Sequence, residues 1–265
     1  MTEAPPGRMG RGMGAVVGLP LLSLLLFACL IYAVWEAVSL AGLFPAFTLP
    51  SPLQVAQDAG VEISSGVLLA NTLTTLGEAL GGFAIAAVIA GGCGYAIAHV
   101  RPLEILAAPF IAASQGIPSV AIAPIIFLLL GQGVSFKIVV CATVVFFPLL
   151  VSTVTGLRGV EREYHEVARV FGASRRQTLL MVELPLAAPA LLSGLKIGLT
   201  LSIIGAVVGE FISANSGLGF MINTSISTFE VAPRYVALIT LAVLSIALFG
   251  LITLVERIAL QWRDA

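Results

Sequence analysis

Residues 158–185 read RGVEREYHEVARVFGASRRQTLLMVELP, a charged stretch set between two long apolar runs. Ile138 to Leu157 precedes it without a charge, and Leu184 to Gly209 follows it with only Lys196 inside. A helix that crosses a bilayer needs about 20 consecutive, mostly apolar residues. Two such runs joined by a charged segment read as two membrane spans with a loop on one side. That reading sets the fold class for the rest of the chain.

Composition agrees with it. Of 265 residues, 58% are hydrophobic and 10% charged, where a soluble domain carries about 25% charged residues; the mean hydropathy is +1.07. Four further apolar runs stand at Gly12 to Trp35, about Val67 to Ala98, Ile105 to Phe136 and Tyr235 to Val255. Pro109, Pro118, Pro124 and Gly131 interrupt the third of these, which predicts kinks or a broken helix. The first run exceeds the apolar core of a signal peptide, about 7–15 residues, and is expected to be retained. The fold class is therefore all-α and polytopic, with about six transmembrane helices in a single membrane unit over 1–265.

Ten of the thirteen basic residues fall on one side if the N-terminus is inside. They are Arg8 and Arg11 in the tail 1–11, then Arg101, five arginines in the loop 158–184, and Arg257 and Arg263. Ser39 to Gly66 contains no Lys or Arg. Cytoplasmic segments carry the basic excess, so both termini are expected inside. The formal charge of −1 leaves no basic surplus for a nucleic-acid partner. Cys29, Cys93 and Cys141 are expected as small hydrophobes in a core or in lipid, and His99 and His165 stand apart in the sequence with no metal-ligand spacing.

The loop itself predicts two short helices. Val160, Tyr164, Val167, Ala168 and Phe171 recur at helical spacing, with Glu161, Arg162, Glu163, Glu166 and Arg169 on the other face. Gly172 stands where a C-terminal cap needs positive φ. Ser174-Arg175-Arg176-Gln177 reads as a capping box, and Pro185 is expected to end the second helix near Leu184. Such an amphipathic projection can lie on lipid headgroups or dock in a groove of a partner protein. On the outer side, Ser51-Pro52 predicts a capped surface helix, and Ser213 to Pro233 reads as a flexible, turn-rich loop.

Glu166-Val167-Ala168, Gly172 and Val182-Glu183-Leu184-Pro185, at their spacing, resemble the "EAA" cytoplasmic loop of ABC importer permeases. Val167 and Val182 stand where that loop usually has alanine and isoleucine. Leu49 to Pro52, Asn71-Thr72-Leu73, Gly116-Ile117-Pro118, Phe147-Pro148 and Gly217-Leu218-Gly219 resemble the nitrate/sulfonate/taurine branch, and the likeness covers about residues 45 to 258. It implies an inner-membrane permease, a second permease copy in a homodimer, two cytoplasmic ATPase subunits and an extracytoplasmic substrate-binding protein. The solute it implies is small and polar: nitrate, a sulfonate, taurine or a similar organic anion. ATP and Mg would be used by the partner ATPase, with no cofactor in this chain. The implied coupling residues are Glu166, to pair with a basic side chain of the ATPase, Ala168 for close approach and Gly172 for the bend. Arg169, Ser174 and Pro185 complete that set.

The only lysines are Lys137 and Lys196, neither next to a glycine, so no P-loop is possible. Nor does any catalytic grouping stand out, and the chain is not expected to be an enzyme. Lipid penalises polar groups, so those inside spans are functional candidates: Asn71, Thr72, Thr75, Glu78, Ser114, Gln115, Ser119, Lys196 and Glu210. The pathway set is Ser114, Gln115, Ser119, Asn71 and Glu210, with Pro118. The Gln115-to-Ser119 cluster reads either as a proline-broken helix facing a pathway or as a kinked packing helix. Glu210 also reads as an ion-pair partner of Lys137 or Arg234. Lys196 could snorkel, pair or touch substrate, and Gly77/Gly81 and Gly194/Gly198 suggest close helix packing. An ATP-independent carrier or channel explains the spans but not the loop.

Overall fold

The computed structural model describes residues 13–45, 47–213 and 215–261; the side chains of residues 13–25, Gln115 and Ser119 lie outside what it describes. Arg8, Arg11 and Arg263 also lie outside. The chain runs as α1 (Met13–Leu40), α2 (Pro52–Ser64), α3 (Val67–His99), α4 (Arg101–Gly116), α5 (Ala123–Leu130), α6 (Val134–Arg158), α7 (Arg162–Val170), α8 (Arg175–Thr178), α9 (Leu184–Ile212), α10 (Leu218–Ser227) and α11 (Val231–Ala259). Among the described residues no strand occurs. Four helical stretches there are long and apolar enough to span a bilayer: Val67–His99, Val134–Arg158, Arg175–Ile212 and Val231–Ala259.

The centre is α3, α6 and α9, and small residues set how closely they approach. A Cβ built on Gly205 would lie 2.7 Å from Cys141 Cα, and one on Gly209 would lie 3.1 Å from Lys137 Cα. Gly198 meets Leu149 and Gly194 meets Ser152, so four glycines of α9 descend along α6 in antiparallel order. On α3, Gly82 meets Cys141 and Gly94 meets Thr153, a parallel crossing. Without a hydrophobic drive between helices in lipid, such close packing holds the spans together. The expected pair Gly194/Gly198 does this. Gly81 meets only Ile138, and Gly77 faces open space, so that pair is not a packing seam. Cys141 lies at the triple crossing with its thiol toward the Ser202 and Ala79 carbonyls. Cys29 and Cys93 are exposed on the outside of the bundle, the lipid-facing alternative of that expectation.

The third apolar run is a broken helix, as its prolines predict. Ile117 and Pro118 are extended, a 3-10 turn covers Ser119–Ile122, and α5 starts afresh at Ala123. Pro118 pushes the residue before it out of helical geometry, and Pro124 suits a first helical turn. The outer segment from Ser213 to Pro233 differs from expectation. Its centre is α10, whose Leu218, Met221 and Ile222 pack with Val55, Leu68, Val236 and Ala237 in a buried cluster. Ser51 caps α2 as expected, with a reciprocal bond from Gln54.

Pro185 does not end the second loop helix. From Arg175 to Ile212 the chain is helical over 38 residues. The turn from Leu179 to Glu183 widens to π geometry just before the proline. Proline lacks an N–H and its ring crowds the carbonyl four residues earlier, here that of Met181. The widened turn takes up that crowding, so the loop leads into α9 without a break.

Candidate functional site

The arginines at 101, 158, 162, 169, 175, 176 and 257 gather at one end of the bundle, the cytoplasmic end by the positive-inside rule. From it projects the 158–184 loop. Helix α7 ends in a Schellman motif: Ala173 N–H donates to Ala168 C=O at 2.9 Å and Gly172 N–H to Arg169 C=O at 3.0 Å. Gly172 has φ +71°, a conformation that costs an L-residue about 1–2 kcal/mol. Ser174 then caps α8, accepting from Gln177 N–H, while the Gln177 side chain accepts from Ser174 N–H at 2.8 Å. Glu163 in the first turn and Arg169 in the last complement the α7 dipole.

This places the expected loop residues on distinct faces. Ala168 is buried against the bundle, while Glu166, Arg169 and Ser174 are exposed. Between α7 and the π turn lies an apolar groove of about 370 Å³, lined by Tyr164, Val167, Ala168, Phe171, Met181 and Val182. Phe171 is 84% exposed and Met181 74%. On the other flank of α7 a polar pocket holds Arg158, Arg162, His165, Glu166 and Arg169. Arg158 pairs with Glu104, and the guanidinium holds that carboxyl below the usual carboxylate range.

Sequence reading missed the residue that ties this loop down. Glu183, in the π turn, is buried, and its carboxylate meets both histidines of the chain. His99 Nε2, at the end of α3, lies 3.0 Å from Oε2, and His165 Nε2, on α7, lies 3.2 Å from Oε1. The histidines are 66 residues apart in the sequence, and nothing local signals the meeting. Among the described residues no set of His, Cys, Asp or Glu is arranged as a metal site.

The pathway candidates separate into two places. Ser114 and Pro118 line a cavity of about 710 Å³ at the break between α4 and α5, with Phe110, Thr143, Phe147 and Ile197. Among the described residues no charged side chain lines it. The side chains of Gln115 and Ser119 lie outside the described residues. Asn71 and Glu210 sit elsewhere, holding the start of α10. Gly217 N–H donates to Asn71 Oδ1 at 2.7 Å, Leu218 N–H to Thr75 Oγ1 at 2.8 Å, and Gly219 N–H to Glu210 Oε2. Thr75 in turn donates to Glu210 Oε1 at 2.6 Å. A carboxylate at a helix N-terminus satisfies orphan amides and complements the dipole.

Glu210 therefore is not the ion-pair partner of Lys137 or Arg234. Lys137 lies against Glu78 in a charge contact without an aligned hydrogen bond, and Arg234 donates to the Ser225 carbonyl at 3.3 Å. Lys196 pairs with Glu256 on α11 and covers the Phe249 ring.

Comparison with known proteins agrees with this layout. Residues 85–259 match the family described as "Binding-protein-dependent transport system inner membrane component". The chain is 46% identical over 244 residues to the riboflavin transport system permease protein RibX of Chloroflexus aurantiacus, covering 92% of this chain and 91% of that one. It is 31% identical over 238 residues to the formylaminopyrimidine transport permease protein ThiX of Halalkalibacterium halodurans, covering 90% and 94%. A permease of Bacillus subtilis named for aliphatic sulfonates, SsuC, is 29% identical over 241 residues, covering 91% and 87%. In fold, an inward-facing MetNI methionine ABC transporter matches with a TM-score of 0.67 at 19% identity, over 75% of this chain and 98% of that one. The chain belongs to the binding-protein-dependent inner-membrane components: it is a permease subunit of an ABC importer, with ATP hydrolysed on a separate subunit.

Proposed function

We propose that this chain forms the membrane pathway for a ring-bearing organic solute of flavin or pyrimidine type, and takes its stroke from separate ATPases through residues 158–184. The observation that carries the substrate class is the 710 Å³ cavity beside the α4–α5 break. Two phenylalanines, two prolines and the hydroxyls of Ser114 and Thr143 suit a flat, neutral ring system. Nitrate, taurine or a sulfonate would leave its charge without a counter-ion there. The relatives named for riboflavin and formylaminopyrimidine support the same class over the sulfonate one.

In this reading 1–265 works as one permease unit, and a second copy covers the open side of the cavity. Two ATPase subunits bind at the cytoplasmic end and an extracytoplasmic binding protein delivers solute. Each ATPase takes Phe171, Met181 and Val167 into an apolar cleft, with Glu166 against a basic side chain. Gly172 and Ser174 fix the angle at which Arg169 and Glu166 are presented, and Pro185 joins loop to span. Gln115 and Ser119 flank the cavity residues Ser114 and Pro118 in the sequence and join the pathway set. Asn71 and Glu210 act as anchors of α10.

The test is calorimetry of the cognate binding protein against riboflavin, formylaminopyrimidine, taurine, nitrate and an alkanesulfonate. Tightest binding of one of the two ring compounds is expected. Tightest binding of nitrate, taurine or the sulfonate overturns the substrate class.

A further inference from the structure

Buried Glu183 sits where three elements meet: the end of α3, the loop helix α7 and the root of α9. Both imidazoles that reach it are fixed at their other nitrogen. His99 Nδ1 lies 2.9 Å from the Tyr95 carbonyl and His165 Nδ1 lies 3.2 Å from the Glu161 carbonyl. A carbonyl oxygen only accepts, so each Nδ1 carries a hydrogen. Each Nε2 then meets a carboxylate oxygen, at 3.0 and 3.2 Å. Two lone pairs cannot make that contact, so a proton lies in each Nε2–oxygen pair. Glu183 can contribute one of the two protons if it is neutral. At least one ring is therefore an imidazolium, and the three side chains together carry a charge of +1.

From this geometry we infer that His99, His165 and Glu183 are positioning residues that join the coupling loop to the spans through two shared protons. The inference deepens the coupling reading above and rests on it for its consequence in transport. With both protons present, α7 is bound to α3 and, through the π turn, to the root of α9. The contacts need protons, and loss of either proton opens its contact. Other charged groups around the cluster are the Glu104–Arg158 pair and, on α7, Arg162, Glu166 and Arg169. Tyr95 covers the His99 ring at 4.2 Å between centroids. With one contact open, the ATPase stroke moves α7 without moving α9, and ATP is spent without uptake.

The chain has only two histidines, so 15N-histidine labelling of the full chain, purified on a tag free of histidine, reports on this cluster alone. His99→Asn and His165→Asn assign the signals, each leaving the other contact in place. In nanodiscs, ring 15N shifts are expected to show Nδ1 protonated in both rings and a hydrogen in each Nε2–Glu183 contact. In Glu183→Gln the side-chain amide donates to one Nε2, which is expected to carry no hydrogen. Rings with hydrogen on Nε2 and none on Nδ1, or the same ring 15N pattern in both proteins, overturn the inference.

A second readout is riboflavin moved per ATP in proteoliposomes of the full importer. A fall of at least about threefold from wild type is expected in His165→Asn, which opens the α7 contact, and a ratio near wild type in Glu183→Gln, whose amide keeps an acceptor and a donor for the two rings. A wild-type ratio in His165→Asn overturns the inference. The ring shifts are read on the chain itself. If they behave as stated while riboflavin is not carried, the substrate reading fails and the proton-sharing cluster stands.

Discussion

Asn71, Thr75 and Glu210 show what a polar group does when lipid surrounds the bundle. Each meets a backbone amide of residues 217–219, more than 140 positions along the chain for Asn71 and Thr75. The sequence marked Asn71 and Glu210 as polar groups inside spans, yet it could not show their task. The amides they satisfy belong to a helix, α10, that its glycines and serines disguised as a loop. Removing the carboxylate leaves a buried amide without a partner, at about 1–3 kcal/mol. Glu210→Leu is therefore expected to lower the apparent thermal midpoint in detergent by several degrees, read by intrinsic fluorescence. Glu210→Gln, which keeps an acceptor, is expected to lower it less.

At the scale of elements, the loop 158–184 was largely legible because its signals are local. A glycine cap and a capping box each need only a few neighbouring residues, and both formed as read. The continuation through Pro185 was not legible, since a proline that ends a helix and one preceded by a π turn look alike in sequence. Gly172→Val forces a β-branched residue to φ +71°, at about 1–2 kcal/mol. Both it and Glu166→Lys are expected to leave the permease inserted and ATP hydrolysis running while uptake falls at least about tenfold, measured side by side in proteoliposomes. Normal uptake by both variants contradicts the coupling role.

Helix α2 gives a pH prediction. Burial, with Glu230 nearby, holds Asp58 above its ordinary carboxylate range, and burial, Asp58 and Glu230 do the same for Glu62. A carboxyl raised in the folded state contributes stability at acid pH that is lost as pH rises through its folded value. Glu62→Gln is therefore expected to raise the midpoint at pH 7, by roughly 1–2 °C for a half-exposed group, and to change little near pH 4. Equal shifts at both pH values contradict that assignment.

Across the whole molecule, hydropathy and the placement of arginines were enough to give a helical membrane bundle and its orientation. Helix adjacency was not, because the glycines at 194, 198, 205 and 209 specify a close seam only once it is known that α6 lies against them. The same holds for Glu183, whose two histidines come from different elements, the end of α3 and the loop helix α7. Gly205→Leu drives a side chain into the α6 backbone, and overpacking of this kind costs about 1–3 kcal/mol. Its yield of monodisperse protein in detergent is expected to drop sharply, with Gly91→Leu, a position facing open space, as the unaffected control.

The central claim, an importer driven by a separate ATPase through this loop, is tested most directly by riboflavin uptake into proteoliposomes. These hold the permease, its cognate ATPase and the binding protein. The account predicts uptake against a gradient only with ATP and all three proteins present, and its loss in Gly172→Val while ATP hydrolysis continues. Uptake by the permease alone, without ATP, contradicts it.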